Sequence, residues 1–184
     1  MALLELDDIQ SGVLRPRPTP FAATYIILRI DDRAAGRALM RRLSGIVASA
    51  AHPESPARDT WVSVSLTFAG LKSLGVPQAS LETFSPQFRE GMAARARQLH
   101  DVGENAPEHW EKPLGTADVH VVLTGISTDA AHLEEAIGRA RAAYQNTAGI
   151  TAIWRQDCYA LPSETEPFGF KDGISHPAIE GSGI

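Results

Sequence analysis

The stretch Glu166-Pro167-Phe168-Gly169-Phe170-Lys171-Asp172-Gly173-Ile174-Ser175-His176-Pro177 has the residue types and spacing of a chemical site rather than of a packing element. One carboxylate, Asp172, lies between two glycines and between two prolines, with aromatic side chains before it and Ile174 after it. Glycine lets the backbone approach a ligand closely, and the prolines keep both flanks out of regular structure. Asp-Gly alone is a turn signal, and turn use is its commonest fate. The same glycine-flanked carboxylate can instead belong to a site where backbone comes close to a ligand. The elements that place the loop decide between these uses.

The chain has 184 residues, enough for one domain with a sizeable core and not comfortably enough for two. A hydrophobic share of 43% and a charged share of 21% are those of a soluble globular protein. The net charge of −5 argues against a nucleic-acid footprint, which needs clustered Lys and Arg. Arg37, Arg41 and Arg42 fall at helical spacing and read as a solvated helix face. The single cysteine, Cys158, excludes an internal disulfide and any multi-cysteine metal site, and it reads as a small buried hydrophobe. No apolar run reaches the length of a membrane helix. Met1 to Gln10 lack the basic and hydrophobic regions of a signal peptide, so a cytoplasmic location is expected.

Residues 1–20 read as irregular, with Pro16, Pro18 and Pro20 blocking regular structure. Ala23–Ile30 is β-branched-rich and predicts a largely buried strand, ended by Asp31 or Asp32 as a helix cap. Leu39, Leu43, Ile46 and Val47 predict an amphipathic helix over roughly 33–50. His52–Asp59 is a loop. Trp61–Phe68 alternates as a half-buried strand, and a short helix, Ala69–Leu74, stops at Gly75.

A long insertion follows Pro77. Ser85 and Pro86 open a helix with Phe88, Met92 and Leu99 on one apolar side, and His109-Trp110-Glu111 lies in a loop. Asp118–Ser127 alternates as a strand. Asp129 begins a helix with Leu133, Ile137, Ala140 and Tyr144 in register, and Ile150–Ala160 is a final strand leading into the Asp172 loop. This order predicts an α+β ferredoxin-like sandwich, split β-α-β, with helices on one face of an antiparallel sheet and a helical insertion between the second and third strands. Trp61, Trp154 and Tyr25 read as core or edge packing.

With its loop Gly169-Phe170-Lys171-Asp172-Gly173, a Gly-x-x-Asp-Gly pattern, the sequence resembles the N-terminal half of the dye-decolorising haem peroxidases. Similarity extends to Ile9–Leu14, to Ile26–Ile30 and to Phe84–Glu111, in the same order and over nearly the whole chain. The resemblance implies two ferredoxin-like domains in the complete enzyme, residues 1–184 being the first, truncated after the loop. It implies haem b as cofactor, with hydrogen peroxide as oxidant and dyes or other bulky aromatic reducing substrates as donors.

Asp172 is then the distal acid–base, and Phe170, Gly173, Ile174 and Ser175 line the cofactor. The iron ligand and an arginine beside the peroxide are expected from a missing C-terminal domain. His176 stands where relatives often carry Gln. His176 lies four residues from Asp172, a span of at most ~14 Å, too short to reach the opposite face of a haem. His52, His100, His109, His120 and His132 read as solvated or locally bonded.

An unperturbed Asp titrates near ~3.9, so an Asp base predicts activity in acid. Trp110 and Tyr159 are candidate radical relays, packing being the commoner fate of large aromatics. The alternative is a catalytically incomplete fragment that acts only with a C-terminal partner, or as a binding or assembly module. Its exposed apolar face predicts a homo-oligomer or poor solubility.

Overall fold

A computed structural model describes residues 4–51, 59–161, 163, 165–171 and 179–182 of the chain. Strands β1 (Ala22–Ile30), β2 (Trp61–Leu66), β3 (Val121–Ser127) and β4 (Ile150–Tyr159) form one antiparallel sheet in the order β2-β3-β1-β4. The helices are α1 (Ser11–Leu14), α2 (Arg33–Ser44), α3 (Phe68–Ser73), α4 (Gln78–Leu81), α5 (Pro86–Ala94) and α6 (Ala130–Ala142). Strand, helix, strand, strand, helix, strand in this spatial order is the ferredoxin-like α+β arrangement, with α3 to α5 inserted between β2 and β3.

The β1 run is apolar on both sides because β1 is central: of its nine residues only Tyr25 is exposed and Arg29 half-buried. Ala22, Ile26, Leu28 and Ile30 join Val62, Val121 and Leu123 on the helix side. Leu39 and Leu43 of α2 and Leu133, Ala136, Ile137 and Ala140 of α6 close that core. Full burial of each Leu or Ile contributes about 1.5–3 kcal/mol. Gly125 is small by necessity, since a Cβ there would lie 2.7 Å from Ile137 Cδ1.

Caps set the helix starts. The Asp32 carboxylate accepts from Ala35 N at 2.8 Å to start α2, and Asp129 accepts from Ala131 N and His132 N, each at 2.9 Å, to start α6.

Several boundaries differ from the sequence reading. The α2 helix ends at Ser44, with Gly45 as its cap, so Ile46 and Val47 pack from the turn beyond rather than from the helix. β2 stops at Leu66 because the Thr67 hydroxyl caps α3 by accepting from Gly70 N at 3.0 Å, which places Phe68 in the helix. β3 starts at Val121, three residues later than predicted. Gly91, at φ 74° and ψ 176°, breaks α5; Phe88, Met92 and Leu99 are 37%, 62% and 39% exposed, so they form no buried stripe.

Residues 1–20 are not wholly irregular. A 3-10 turn over Leu6–Asp8 and the short α1 bring Gln10 to the outer edge of β2. There its amide donates to Val64 O at 2.9 Å and accepts from Val64 N at 2.8 Å, in the place of a fifth strand. Nor are the α2 arginines simply solvated. Arg37 Nε donates to Leu74 O and Arg42 Nε to Ala143 O, each at 2.8 Å, satisfying carbonyls at the ends of α3 and α6. Cys158 is half-buried on edge strand β4, not a core hydrophobe.

Candidate functional site

The chain leaves β4 at Tyr159 and turns back on itself in a small hairpin. Thr165 and Lys171 pair as an antiparallel bridge, Glu166 N donates to Phe170 O at 2.7 Å, and Gly169 N donates to Glu166 O at 2.8 Å. Three loop residues, Pro167, Phe168 and Gly169, thus join the arms. Proline suits the first turn position, and Gly169 takes φ +86°, the left-handed conformation that closes a three-residue hairpin. Among the described residues, nothing lies within 4 Å of a Cβ added at Gly169, so its conformation rather than crowding calls for glycine.

The hairpin turns its aromatics outward. Phe168 is 86% and Phe170 71% exposed, and Tyr159, Leu161 and Ile179 nearby in sequence are also exposed. Of the residues named as candidates, Phe170 lies in this described hairpin. Asp172, Gly173, Ile174, Ser175 and His176 fall outside the described residues, as does His52.

The remaining histidines occupy ordinary places. His100 and His109 are exposed surface residues of the insertion, and His132 is exposed and bonded to Asp129. His120, whose exposure the sequence leaves ambiguous, is buried and bonded: its Nδ1 accepts from Ile30 N at 2.8 Å. Among the described residues, no three His, Cys, Asp or Glu converge to hold a metal ion.

Carboxylates near the exit of β4 are structural. Asp157 accepts from Thr24 Oγ1 at 2.6 Å and from Arg155 Nε at 2.9 Å, and these bonds hold it below the usual carboxylate range, the Thr24 hydroxyl foremost. Glu134 is likewise held low, first by its hydrogen bond with Arg155 and further by Arg141. Carboxylates fixed as ionised hydrogen-bond acceptors are poorly suited to shuttling a proton.

Of the two relay candidates, Trp110 packs within the insertion: its Nε1 donates to Asn105 O at 2.8 Å, and its ring fills the space a Cβ on Gly115 would need. Tyr159, 60% exposed, is not a packing residue among the described side chains. Sequence reasoning missed a contact between the insertion and the last strand, Trp154 Nε1 donating to Glu111 at 2.7 Å. Its residues lie 43 positions apart, beyond the reach of any periodicity rule.

Fold and hairpin together define a ferredoxin-like α+β domain with an outward-facing aromatic turn after its last strand. Among known proteins, the chain resembles dye-decolorizing peroxidases in both sequence and fold. It is 28% identical over 132 residues to the dye-decolorizing peroxidase msp1 of Mycetinis scorodonius, an alignment covering 66% of this chain and 23% of the relative. With the dye-decolorizing peroxidase of Exidia glandulosa it shares 27% identity over 98% of this chain and 35% of the relative. An ancestral D-type dye-decolorizing peroxidase superposes with a TM-score of 0.82 at 26% identity, covering 98% of this chain and 41% of that structure. The chain thus spans less than half the length of these relatives. No family model matches it.

Proposed function

We propose that this chain is the N-terminal ferredoxin-like domain of a haem-dependent peroxidase of the dye-decolorising type, with Asp172 as its distal acid–base. The observation that supports this most is the superposition over 98% of the chain on a D-type dye-decolorizing peroxidase, in a chain that also carries Gly169-Phe170-Lys171-Asp172-Gly173 just beyond its last strand.

The exposed Phe170 ring fits a flat, apolar macrocycle, which needs apolar cover more than polar partners. Phe170, Gly173, Ile174 and Ser175 would hold the distal side of haem b, and the cofactor, when bound, supplies the redox chemistry of its iron. Asp172 would accept the proton from one oxygen of hydrogen peroxide and return it to the other, so that the O–O bond breaks with water as leaving group. One solved relative is described with a heme pocket, and another in complex with 2,6-dimethoxyphenol. Haem as cofactor and an aromatic reducing substrate follow for this chain as part of the same proposal.

The proposal includes a division of labour. Each described histidine is exposed or bonded to a neighbour, and the chain spans 41% of its structural relative, which supports an iron ligand contributed by a second, C-terminal domain. Alone, the chain would be a catalytically incomplete fragment.

Titrating haem into the chain alone, then together with a C-terminal domain, with a peroxide-dependent dye assay at each stage, tests this division. Tight stoichiometric haem binding with turnover by the 184-residue chain alone overturns it. In the two-domain protein, Asp172→Asn is expected to slow the reaction with peroxide by about 10²–10⁴-fold while haem binding is retained. Unchanged peroxide kinetics would remove Asp172 from the chemistry.

A further inference from the structure

His120 stands where β3 runs out. The ladder between β3 and β1 ends at Val121 opposite Leu28, and His120 N donates to Leu28 O at 3.3 Å. The next donor of β1 on that side, Ile30 N, turns to a side chain. The imidazole Nδ1 of His120 accepts it at 2.8 Å in a buried contact, so a side chain serves as the ladder's last acceptor.

The same residue anchors α3. Its carbonyl accepts from Thr67 N at 3.1 Å, its Nε2 lies 3.5 Å from Ser73 Oγ, and Gly70 packs directly on its backbone. Five hydrogen-bonding contacts, counting the Thr67 hydroxyl 3.5 Å from the same carbonyl, thus join β1, β3 and α3 through one residue.

We propose that His120 is a pH-sensitive latch, holding α3 and the end of β1 together while Nδ1 is bare and releasing them when it takes a proton. A bare Nδ1 accepts from Ile30 N–H. A protonated one presents N–H to N–H, so the hydrogen bond is lost and a charge is left in a site only 9% exposed. Histidine is the side chain that changes charge in mildly acidic solution.

The charged groups around the ring do not replace the lost bond. Asp31 on the β1 side is coupled electrostatically to His120, but it is solvent-exposed and already holds Arg29 at 2.8 Å and Thr151 at 3.3 Å. Asp118, on the approach to β3, is exposed and coupled to Arg29. On α3 the one charged side chain is Lys72, whose ammonium lies over the Phe68 ring. The latch is independent of the peroxidase reading.

Amide hydrogen exchange of the chain between about pH 8 and about pH 5, corrected for intrinsic rates, tests it. Protection of Ile30, Leu71 and Leu74 is expected to fall about tenfold or more toward acid, while the amides of α6 keep theirs. In His120→Asn, whose Oδ1 stands as many bonds from Cβ as Nδ1 and does not titrate, protection at Ile30 should stay flat. Constant protection in the wild type, a parallel fall across α6, or an equal fall in the Asn variant overturns the latch. If the variant does not fold, the ring nitrogen shifts of wild-type His120 decide. A bare Nδ1 in neutral solution that gains its proton as Ile30 loses protection supports the latch. A proton on Nδ1 already in neutral solution refutes it.

Discussion

Gly70 and Gly138 are both helical glycines, and replacing each by alanine should move stability in opposite directions. In α6, a Cβ added at Gly138 meets nothing within 4 Å among the described residues. Alanine there gains only the helix preference over glycine, about 0.8–1.0 kcal/mol. In α3, a Cβ at Gly70 would lie 2.1 Å from His120 O, 2.8 Å from its carbonyl carbon and 3.1 Å from its Cα.

These are backbone atoms of a residue tied to β1 through both its N–H and its ring, so no rotamer change relieves the overlap. The α3 helix must retreat by roughly 1 Å to reach contact distance. The overpacking costs about 1–3 kcal/mol, and stretching the Thr67 N–His120 O bond costs up to about 1 kcal/mol more. Set against the same helix-preference gain of about 1 kcal/mol, Gly70→Ala should destabilise by up to about 3 kcal/mol, whereas Gly138→Ala stabilises. Urea unfolding followed by the fluorescence of Trp61, 5% exposed in the native state, measures both. Equal midpoints for the two variants would refute the reasoning that packs α3 on His120.

Gly169→Ala should cost about 1 kcal/mol locally, because only its φ of +86° is at issue; faster amide exchange at Glu166 with little change in the global urea midpoint is the expected pattern. Gln10→Ala strips both partners from Val64 on the free edge of β2, and should lower stability by about 1–2 kcal/mol and raise light scattering on concentration.

The Asp129–His132 pair should give a stability bonus confined to a pH window. Asp129 is held below its ordinary 3.8, first by the His132 backbone N–H and then by its ring, so its contribution is present above 3.8 and lost as pH falls through the lowered value. His132 is held above its ordinary 6.5 by the Asp129 carboxylate, so its contribution is present below 6.5 and lost as pH rises through the raised value. The Tm difference between wild type and Asp129→Asn, which keeps the capping oxygen, should therefore be widest between 3.8 and 6.5 and narrow on both sides. A two-domain enzyme using Asp172 as its base should work best in acid, and a pH–rate profile peaking above neutrality would count against that role.

What the sequence disclosed, and what it hid, divides along the reach of the physics involved. The order of strands and long helices was legible because it rests on periodicity and caps: the Asp32 and Asp129 caps, the buried register Leu133–Ile137–Ala140 and the two-sided apolar run of β1 are all local patterns. Ends that depend on a partner far along the chain were not. The role of Gln10 follows from Val64, 54 residues away, and the burial of His120 from Ile30, 90 residues earlier; the end of β2 has a local cause instead, the Thr67 hydroxyl capping α3 at Gly70. A histidine flanked by alternating valines looks the same in sequence whether its ring meets water or a backbone N–H.

The Gly-x-x-Asp-Gly loop shows a third relation. Gly169 opens the Gly-x-x-Asp-Gly pattern, yet the hairpin gives this glycine a sufficient local cause, the left-handed closure of a three-residue turn. Its presence therefore speaks first for the shape that precedes Asp172. Under the proposed reading, what would set this loop apart from an ordinary Asp-Gly turn is the chain around it: a ferredoxin-like sheet that superposes on a dye-decolorizing peroxidase over 98% of the chain, and two phenylalanines turned outward beside it.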